Sequence, residues 1–109
     1  PYSQAIISGG LVFTSGQIPV DPATGAVAGE TIVEQAKQVM ANLQVVLAAA
    51  GTTPERAVKT TCFLADMADF AAFNEIYAQT FTSKPARSCV AVRTLPKGVL
   101  CEVEVVAEI

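Results

Sequence analysis

The sequence predicts an α+β fold in which two helices pack on one face of a mixed sheet, in the order β-β-α-β-α-β-β. Apolar residues recur at helical spacing in two segments, around 31–51 and 66–81. Short runs rich in β-branched residues flank both segments, as expected for strands. With 109 residues the chain has room for one hydrophobic core, so we expect a single domain over 1–109.

The chain is predicted to begin with a hairpin. Residues 4–8 and 11–15 have the composition of short strands and flank Gly9-Gly10, a pair that favours a tight turn. Pro19 and Gly25 then mark a loop rich in turn residues. Three further strands are predicted at 57–64, 87–92 and 99–107.

The first helix is predicted from a capping box and a continuous apolar stripe. Thr31 and Glu34 have the Thr-x-x-Glu spacing of a helix start, and Gly51 stands where a left-handed residue ends a helix. The apolar positions between them are expected to face the sheet: Ile32, Val33, Ala36, Val39, Met40, Leu43, Val46, Leu47 and Ala50.

The second helix is predicted to begin near Asp66 or Asp69. Four aromatic residues mark its buried face: Phe70, Phe73, Tyr77 and Phe81. Asn74 falls in the middle of that stripe, and a buried amide without partners costs about 1–3 kcal/mol. From the pattern alone, an amide satisfied by neighbouring backbone is the favoured interpretation.

The composition narrows the possible partners. Apolar residues make up 51% of the chain and charged residues 16%, with a net charge of −3. Because a small domain leaves much of its surface exposed, so high an apolar fraction predicts apolar surface that another subunit covers, and an oligomer is favoured over a monomer. The seven Lys and Arg are scattered between Lys37 and Lys97, which argues against nucleic acid. No apolar run approaches the roughly 18 residues of a membrane helix, so no membrane partner is expected.

The cysteines and the missing histidine limit the chemistry. Cys62, Cys89 and Cys101 are widely spaced and odd in number. Free thiols are therefore expected, in a reducing compartment such as the cytoplasm or, in a eukaryote, the mitochondrial matrix. Without histidine the chain has no Ser-His or Cys-His nucleophile pair, and no metal or other cofactor is expected.

Five polar residues stand out as candidates for chemistry: Asn74, Arg87, Cys89, Glu102 and Glu104. Arg87 and Cys89 share one face of their strand, and an arginine there can bind a carboxylate in bidentate geometry. Spacing alone favours a structural ion pair of Arg87 with either glutamate, or an exposed sheet edge. The two glutamates suit acid–base catalysis, but a solvated strand face has the same pattern. Cys89 without a base is typical of a core cysteine.

Several blocks in order resemble the RidA family, also called YjgF, over nearly the whole chain. The blocks are 1–6 (PYSQAI), 13–19 (FTSGQIP), Gln35 and Asn42 on the first helix, 66–70 (DMADF) with Asn74 and Tyr77, 85–90 (PARSCV), 95–98 (LPKG) and 102–104 (EVE). The chain departs from the family in two places. Pro1 lies inside the first motif, where relatives have a preceding segment, and residues 81–85 form a shorter stretch.

The resemblance implies a fold, an assembly and a set of roles. The implied fold is chorismate-mutase-like, and the implied assembly is a homotrimer with pockets between neighbouring subunits. Arg87 would hold a substrate carboxylate, the backbone N–H groups of Gly16 and Cys89 would bind substrate oxygens, and Glu102 would position the attacking water. The residues implied to line or support the pocket are Tyr2, Ser15 and Asn74.

The implied activity is hydrolysis of reactive 2-imino or enamine acids to 2-keto acids with release of ammonia. Water adds to the C=N carbon, and the carbinolamine expels ammonia once its nitrogen is protonated. Two alternatives stay open: a regulatory trimer that binds 2-keto acids without turnover, and a nuclease or translation-inhibitor activity. The negative net charge and the absence of histidine argue against the nuclease or translation-inhibitor activity.

Overall fold

The computed structural model describes residues 1–109 and has two helices on one face of a five-stranded mixed sheet, as predicted. The elements in chain order are β1 (Ala5–Ser8), β2 (Leu11–Thr14), α1 (Ile32–Ala49), β3 (Ala57–Leu64), α2 (Phe70–Thr80), β4 (Ala86–Ala91) and β5 (Cys101–Glu108). Short 3-10 turns precede β3, α2 and β5, at Pro54–Arg56, Met67–Asp69 and Pro96–Gly98. Neither α1 nor α2 has the length and apolarity that a bilayer-spanning helix requires.

The sheet order places β4 at an edge. The strands run β1-β2-β5-β3-β4; β3 and β4 are parallel, and every other pair is antiparallel. Parallel neighbours need a crossover, and α2 supplies it between β3 and β4. Because β4 has a neighbour on one side only, half of its backbone groups point away from the sheet.

Helix α1 follows its predicted signals closely. Thr31 Oγ1 accepts from the Glu34 N–H at 3.2 Å, and Glu34 Oε1 accepts from the Thr31 N–H at 3.2 Å, which completes the capping box. Gly51 has a φ of 86°, as predicted for a residue just past the helix. One predicted core position is wrong: Val33 is 37% exposed. It lies 100° around the helix from Ile32, beyond the stripe that the sheet covers.

The strand ends differ from prediction where a turn intervenes. The last strand was expected over 99–107, but β5 begins at Cys101. The Pro96–Gly98 turn, with Lys97 at a φ of 56°, precedes Val99. The Val99 N–H donates back to the Pro96 carbonyl, so this residue belongs to the turn's hydrogen bonding and the strand begins later. At the other end β5 extends to Glu108, which pairs with Leu11.

The helices cover one face of the sheet and leave the other open. Side chains alternate along β5: Cys101, Val103, Val105 and Ala107 are at most 1% exposed and face the helices. Glu102, Glu104 and Val106 therefore face the open side. Three apolar side chains on that open face, Ile6, Phe13 and Val90, are between 44% and 55% exposed.

Candidate active site

Arg87 lies on the helix-covered face, at the edge strand β4, and helix α2 holds it. Its Nη1 donates to Asn74 Oδ1 at 2.6 Å. Its guanidinium carbon lies 4.6 Å from the centroid of the Tyr77 ring and 5.4 Å from that of the Phe70 ring. These three side chains lie on one side of α2 because positions 70, 74 and 77 are spaced by four and three residues. We call Arg87, Asn74, Tyr77, Phe70 and Cys89 the Arg87 cluster.

The sheet-edge position that the sequence offered for Arg87 agrees with the place of β4 in the sheet, whereas the ion pair of Arg87 and the backbone-satisfied Asn74 are wrong. Arg87 makes no ion pair with Glu102 or Glu104, because both glutamates face the open side of the sheet. Asn74 accepts from a side chain and is not satisfied by backbone alone. A guanidinium has five N–H donors, and the bond to Asn74 is the side-chain hydrogen bond that Arg87 makes within the chain. Arg87 is thus a half-buried cation with donors to spare.

The backbone N–H of Cys89 points to the open edge of β4. Val92 donates its N–H to the Leu64 carbonyl on β3 at 2.9 Å. Amides along a strand alternate between its two edges, so the N–H of Cys89, three residues earlier, points away from β3. Since β4 is the edge strand, this donor is free for a ligand.

The cysteines have the properties of core residues. All three are free, and burial raises the pKa of Cys62 and of Cys101 to about 12 each. Burial also raises the pKa of the half-buried Cys89 thiol, although the Arg87 charge opposes this shift. Cys89 is therefore a thiol at neutral pH. No group of three Cys, Asp or Glu side chains comes together that could hold a metal ion.

A groove of about 370 Å³ lies beside Arg87. Its other lining residues are Asn74, Tyr77, Ala78, Phe81, Lys84 and Pro85. Two cations line this groove and no carboxylate does, so its electrostatic character suits an anion.

Glu102 lies on the open face beside Gly16, and with Ser15 and Tyr2 these residues form what we call the Glu102 cluster. The backbones of Gln17 and Val103 exchange hydrogen bonds of 2.8 and 3.1 Å, which brings the segment at Gly16 against β5. A Cβ on Gly16 would overlap the Glu102 carboxylate, so glycine permits the close approach.

The groups of the Glu102 cluster that bear on chemistry are unpaired. Burial, with a smaller contribution from the Glu104 charge, raises the pKa of Glu102 above its usual value. No hydrogen bond to the Glu102 carboxylate exists within the chain, and the Gly16 N–H has no acceptor. A carboxylate with a raised pKa and a free N–H lie side by side.

Ser15 supports the N-terminal segment and does not point its hydroxyl into open space. Its Oγ donates to the Ser3 carbonyl at 2.6 Å, and its N–H donates to the Gln4 carbonyl at 2.8 Å. These bonds hold Tyr2 near Gly16, and both residues line a second groove of about 450 Å³. The Tyr2 side chain is 74% exposed.

The Arg87 and Glu102 clusters do not meet within one chain. Arg87 pairs with Thr60 on β3, and Glu102 pairs with Phe63 on the other side of the same strand. Positions 60 and 63 differ by an odd number, so their side chains point to opposite faces. Strand β3 and the thickness of the sheet therefore separate the two charged groups.

The sequence nominated Asn74 but did not identify the other groups that hold Arg87. Tyr77 was predicted as a buried aromatic, and Thr60 as part of a strand. The available signal was the position of Tyr77 three residues after Asn74, on the same side of α2. Nothing in the sequence pointed to Thr60, whose hydroxyl lies 2.6 Å from the Tyr77 hydroxyl.

Comparison with known proteins places the chain in a family. A family model described as endoribonuclease L-PSP matches residues 1–109. A RutC family protein of Synechocystis is 56% identical over 110 residues, which span 98% of this chain and 85% of that protein. The chain belongs to the RidA (YjgF, L-PSP) family. The resemblance seen in the sequence blocks is thereby confirmed.

Further relatives agree in sequence and in fold. A Salmonella typhimurium protein named 2-iminobutanoate/2-iminopropanoate deaminase is 49% identical over 111 residues, covering 98% of this chain and 86% of that protein. A crystal structure of an L-PSP-type protein from Entamoeba histolytica matches with a TM-score of 0.96 and 57% identity, over 99% of this chain and 87% of that chain. The RidA-family fold predicted from the sequence is confirmed.

Proposed function

We propose that this RidA-family protein is a hydrolytic deaminase that converts reactive 2-imino and enamine acids to 2-keto acids and releases ammonia. The observation that carries the proposal is Arg87, a half-buried cation that Asn74 holds in place and that no carboxylate of the chain neutralises. The name of the Salmonella relative supports the same reaction class.

The Arg87 cluster binds the substrate carboxylate. The guanidinium donates two parallel N–H bonds to the carboxylate oxygens, a geometry for which arginine is suited. The Cys89 N–H at the edge of β4 provides a further donor to a substrate oxygen. Binding by the carboxylate leaves the adjacent C=N carbon at a defined distance from the anchor.

The Glu102 cluster activates water. Glu102 accepts a proton from the water that attacks the C=N carbon, and its raised pKa makes it a better base than an ordinary surface glutamate. Glu102 returns this proton to the imine nitrogen, which gives the carbinolamine. The carbinolamine hydroxyl then gives its proton through Glu102 to the same nitrogen as the C=O bond forms and the C–N bond breaks, so ammonia leaves and the 2-keto acid remains. Imine and water are the two reactants, so no redox partner is required. The Gly16 N–H stabilises the negative charge that develops on the oxygen bonded to this carbon.

The two clusters act on one substrate only when they come from two copies of the chain. The reacting carbon is directly bonded to the carboxylate, so Arg87 and Glu102 must lie within one small site. Within a protomer they face opposite sides of the sheet. We therefore propose a homotrimer in which the Arg87 cluster of one protomer faces the Glu102 cluster of its neighbour.

Mixing two inactive variants tests the shared site. Arg87→Ala and Glu102→Gln are co-expressed with different affinity tags, and complexes that carry both tags are purified. If sites form between protomers, one of the three sites in every trimer that carries both tags combines an intact Arg87 with an intact Glu102, so activity returns to about a third of that of the unmodified protein. Activity that stays at the level of the separate variants contradicts the shared site. Light scattering of the unmodified protein should give three times the protomer mass.

The deaminase activity itself is tested by generating the unstable imine in situ, in the assay mixture. A threonine dehydratase generates 2-iminobutanoate, and 2-oxobutanoate formation is followed with and without this protein. We expect faster keto-acid formation in proportion to protein concentration, and no acceleration by the Glu102→Gln variant. Equal rates with and without the protein contradict the proposal.

A second candidate function is a metabolite-binding trimer without turnover. It is favoured by one observation: the Arg87 cluster is complete within a chain, whereas Glu102 accepts no hydrogen bond. Binding of 2-oxobutanoate without any acceleration of imine hydrolysis would support this alternative. Glu102 argues against it, because a pure carboxylate binder gains nothing from a second negative charge nearby.

A further inference from the structure

The Tyr77 ring forms a platform for the Arg87 guanidinium. The guanidinium carbon is 4.6 Å from the Tyr77 centroid, which is closer than its 5.4 Å from the Phe70 centroid. A cation over an aromatic face is attracted by the ring, and more strongly where water is excluded. Tyr77 is only 7% exposed, so the ring is largely shielded from water.

A buried hydroxyl pair holds the Tyr77 ring itself. The Tyr77 hydroxyl lies 2.6 Å from Thr60 Oγ1, and Thr60 is fully buried. A buried hydroxyl without its partner is costly, so each group restrains the other. Thr60 is also the residue that pairs with Arg87 in the parallel register of β3 and β4. The contacts therefore link β3 to α2 and α2 back to Arg87 on β4.

Tyr77 and Asn74 restrain different degrees of freedom of Arg87. Asn74 binds one terminal nitrogen, whereas the Tyr77 ring limits where the guanidinium can move over its face. The remaining N–H donors are left for a ligand. Because the Tyr77 hydroxyl is engaged with Thr60, Tyr77 has no free proton-transfer group in this arrangement.

We propose that Tyr77, held by Thr60, is a positioning residue that orients Arg87 for the substrate carboxylate. This inference rests on the proposed function of Arg87 as the carboxylate anchor. Removing the ring loosens the guanidinium, which weakens ground-state and transition-state binding equally, so the effect falls on KM and on the Kd for 2-keto acids. The value of kcat stays close to that of the unmodified protein.

The test compares substitutions that remove the ring, the hydroxyl or its partner. Titration calorimetry measures the Kd for 2-oxobutanoate, and the dehydratase-coupled assay measures kcat and KM. Tyr77→Leu should raise Kd and KM together by roughly two- to thirty-fold, the range expected for loss of a cation–π contact. Tyr77→Phe and Thr60→Val should each have a smaller effect because the ring stays, and Thr60→Ser should restore the unmodified Kd.

Phe73→Leu is the matched control for general damage to helix α2. Phe73 is a fully buried aromatic on the same helix, 6.0 Å from the Tyr77 ring, and makes no cation–π contact with Arg87. We expect it to lower the melting temperature at least as much as Tyr77→Leu and to leave the Kd unchanged. If Phe73→Leu weakens binding as much as Tyr77→Leu, the effect is structural and the proposal is overturned.

A spectroscopic measurement gives an independent result. The chain has two tyrosines, Tyr2 and Tyr77, and no tryptophan. In a Tyr2→Phe background, tyrosine fluorescence reports on Tyr77 alone and should change when 2-oxobutanoate binds. If the unmodified protein binds no 2-keto acid, the proposed function fails. If it binds with unchanged Tyr77 fluorescence, and Tyr77→Leu binds equally well, only the positioning role fails.

Discussion

The Arg87 and Glu102 clusters differ in how much of each is completed within one chain. Arg87 has an amide acceptor and two aromatic neighbours, all on helix α2. Glu102 lies on the open face of the sheet against Gly16, where its carboxylate accepts no hydrogen bond and the nearby N–H is free. The Arg87 cluster is preorganised by the packing of a helix on a sheet, whereas the carboxylate and the amide of the Glu102 cluster have no hydrogen-bond partner within the chain.

The difference suggests a division of labour between binding and chemistry. A carboxylate anchor works best when it is rigid before the ligand arrives, because less ordering is needed on binding. A general base needs a pKa closer to the working pH, and partial burial without hydrogen bonds raises the pKa of Glu102 in that direction. If the clusters divide the work in this way, substitutions in the Arg87 cluster should change binding and substitutions in the Glu102 cluster should change turnover.

The largest effect is expected for Glu102→Gln. The substitution keeps the size of the side chain and removes the base, so kcat should fall by about 10²–10⁴-fold, the usual contribution of a positioned acid or base. The Kd for 2-oxobutanoate should stay nearly unchanged, because this ligand does not need the activated water. Steady-state kinetics and calorimetry on the same preparation measure both quantities. Full turnover would make Glu102 an ordinary strand residue and would favour the metabolite binder.

Arg87→Ala should produce the opposite pattern. Loss of charged hydrogen bonds worth about 1.5–3 kcal/mol should raise KM and the 2-oxobutanoate Kd together by roughly ten- to a hundred-fold. Arg87→Lys is the informative control, since it keeps the charge and loses the bidentate geometry. Unchanged binding in Arg87→Ala would remove the anchor role and, with it, the comparison between the clusters.

Glu104→Gln should shift the pH dependence without abolishing activity. The Glu104 charge is one of the two causes that raise the pKa of Glu102, the larger being burial. Catalysis requires ionised Glu102, so activity falls as pH drops through this raised pKa. Removing the Glu104 charge lowers the Glu102 pKa, and the acidic limb of kcat/KM should move to lower pH. A limb that stays in place would mean that another group controls it.

The smallest effect is expected for Cys89→Ser. The proposed role of Cys89 is its backbone N–H, and burial keeps its thiol protonated. Turnover and Kd should therefore remain within roughly a factor of three of the unmodified protein, the spread of mild substitutions. Complete loss of activity with an unchanged melting curve would point to covalent catalysis by the thiol.

Much of the fold was predictable because its signals are local. The capping box at Thr31 and Glu34 and the glycine at 51 bound helix α1 through contacts within a few residues. The alternation along β5 separated Cys101 from Glu102 because successive strand residues point to opposite sides. The start of β5 was harder to place, since the hydrogen bonds of the Pro96–Gly98 turn extend to Val99.

The surroundings of Arg87 depended on the tertiary structure. Asn74 is 13 residues away along the chain and Thr60 is 17 residues from Tyr77, so both contacts exist only after α2 has crossed over the sheet to join β3 and β4. The sequence determined which residues share a face within each strand. It did not determine which face of each strand the helices cover, because that depends on the register between strands and on the docking of α2. For this reason Arg87 and Glu102 could be nominated from the sequence, whereas their separation on opposite faces of the sheet was decided by the fold.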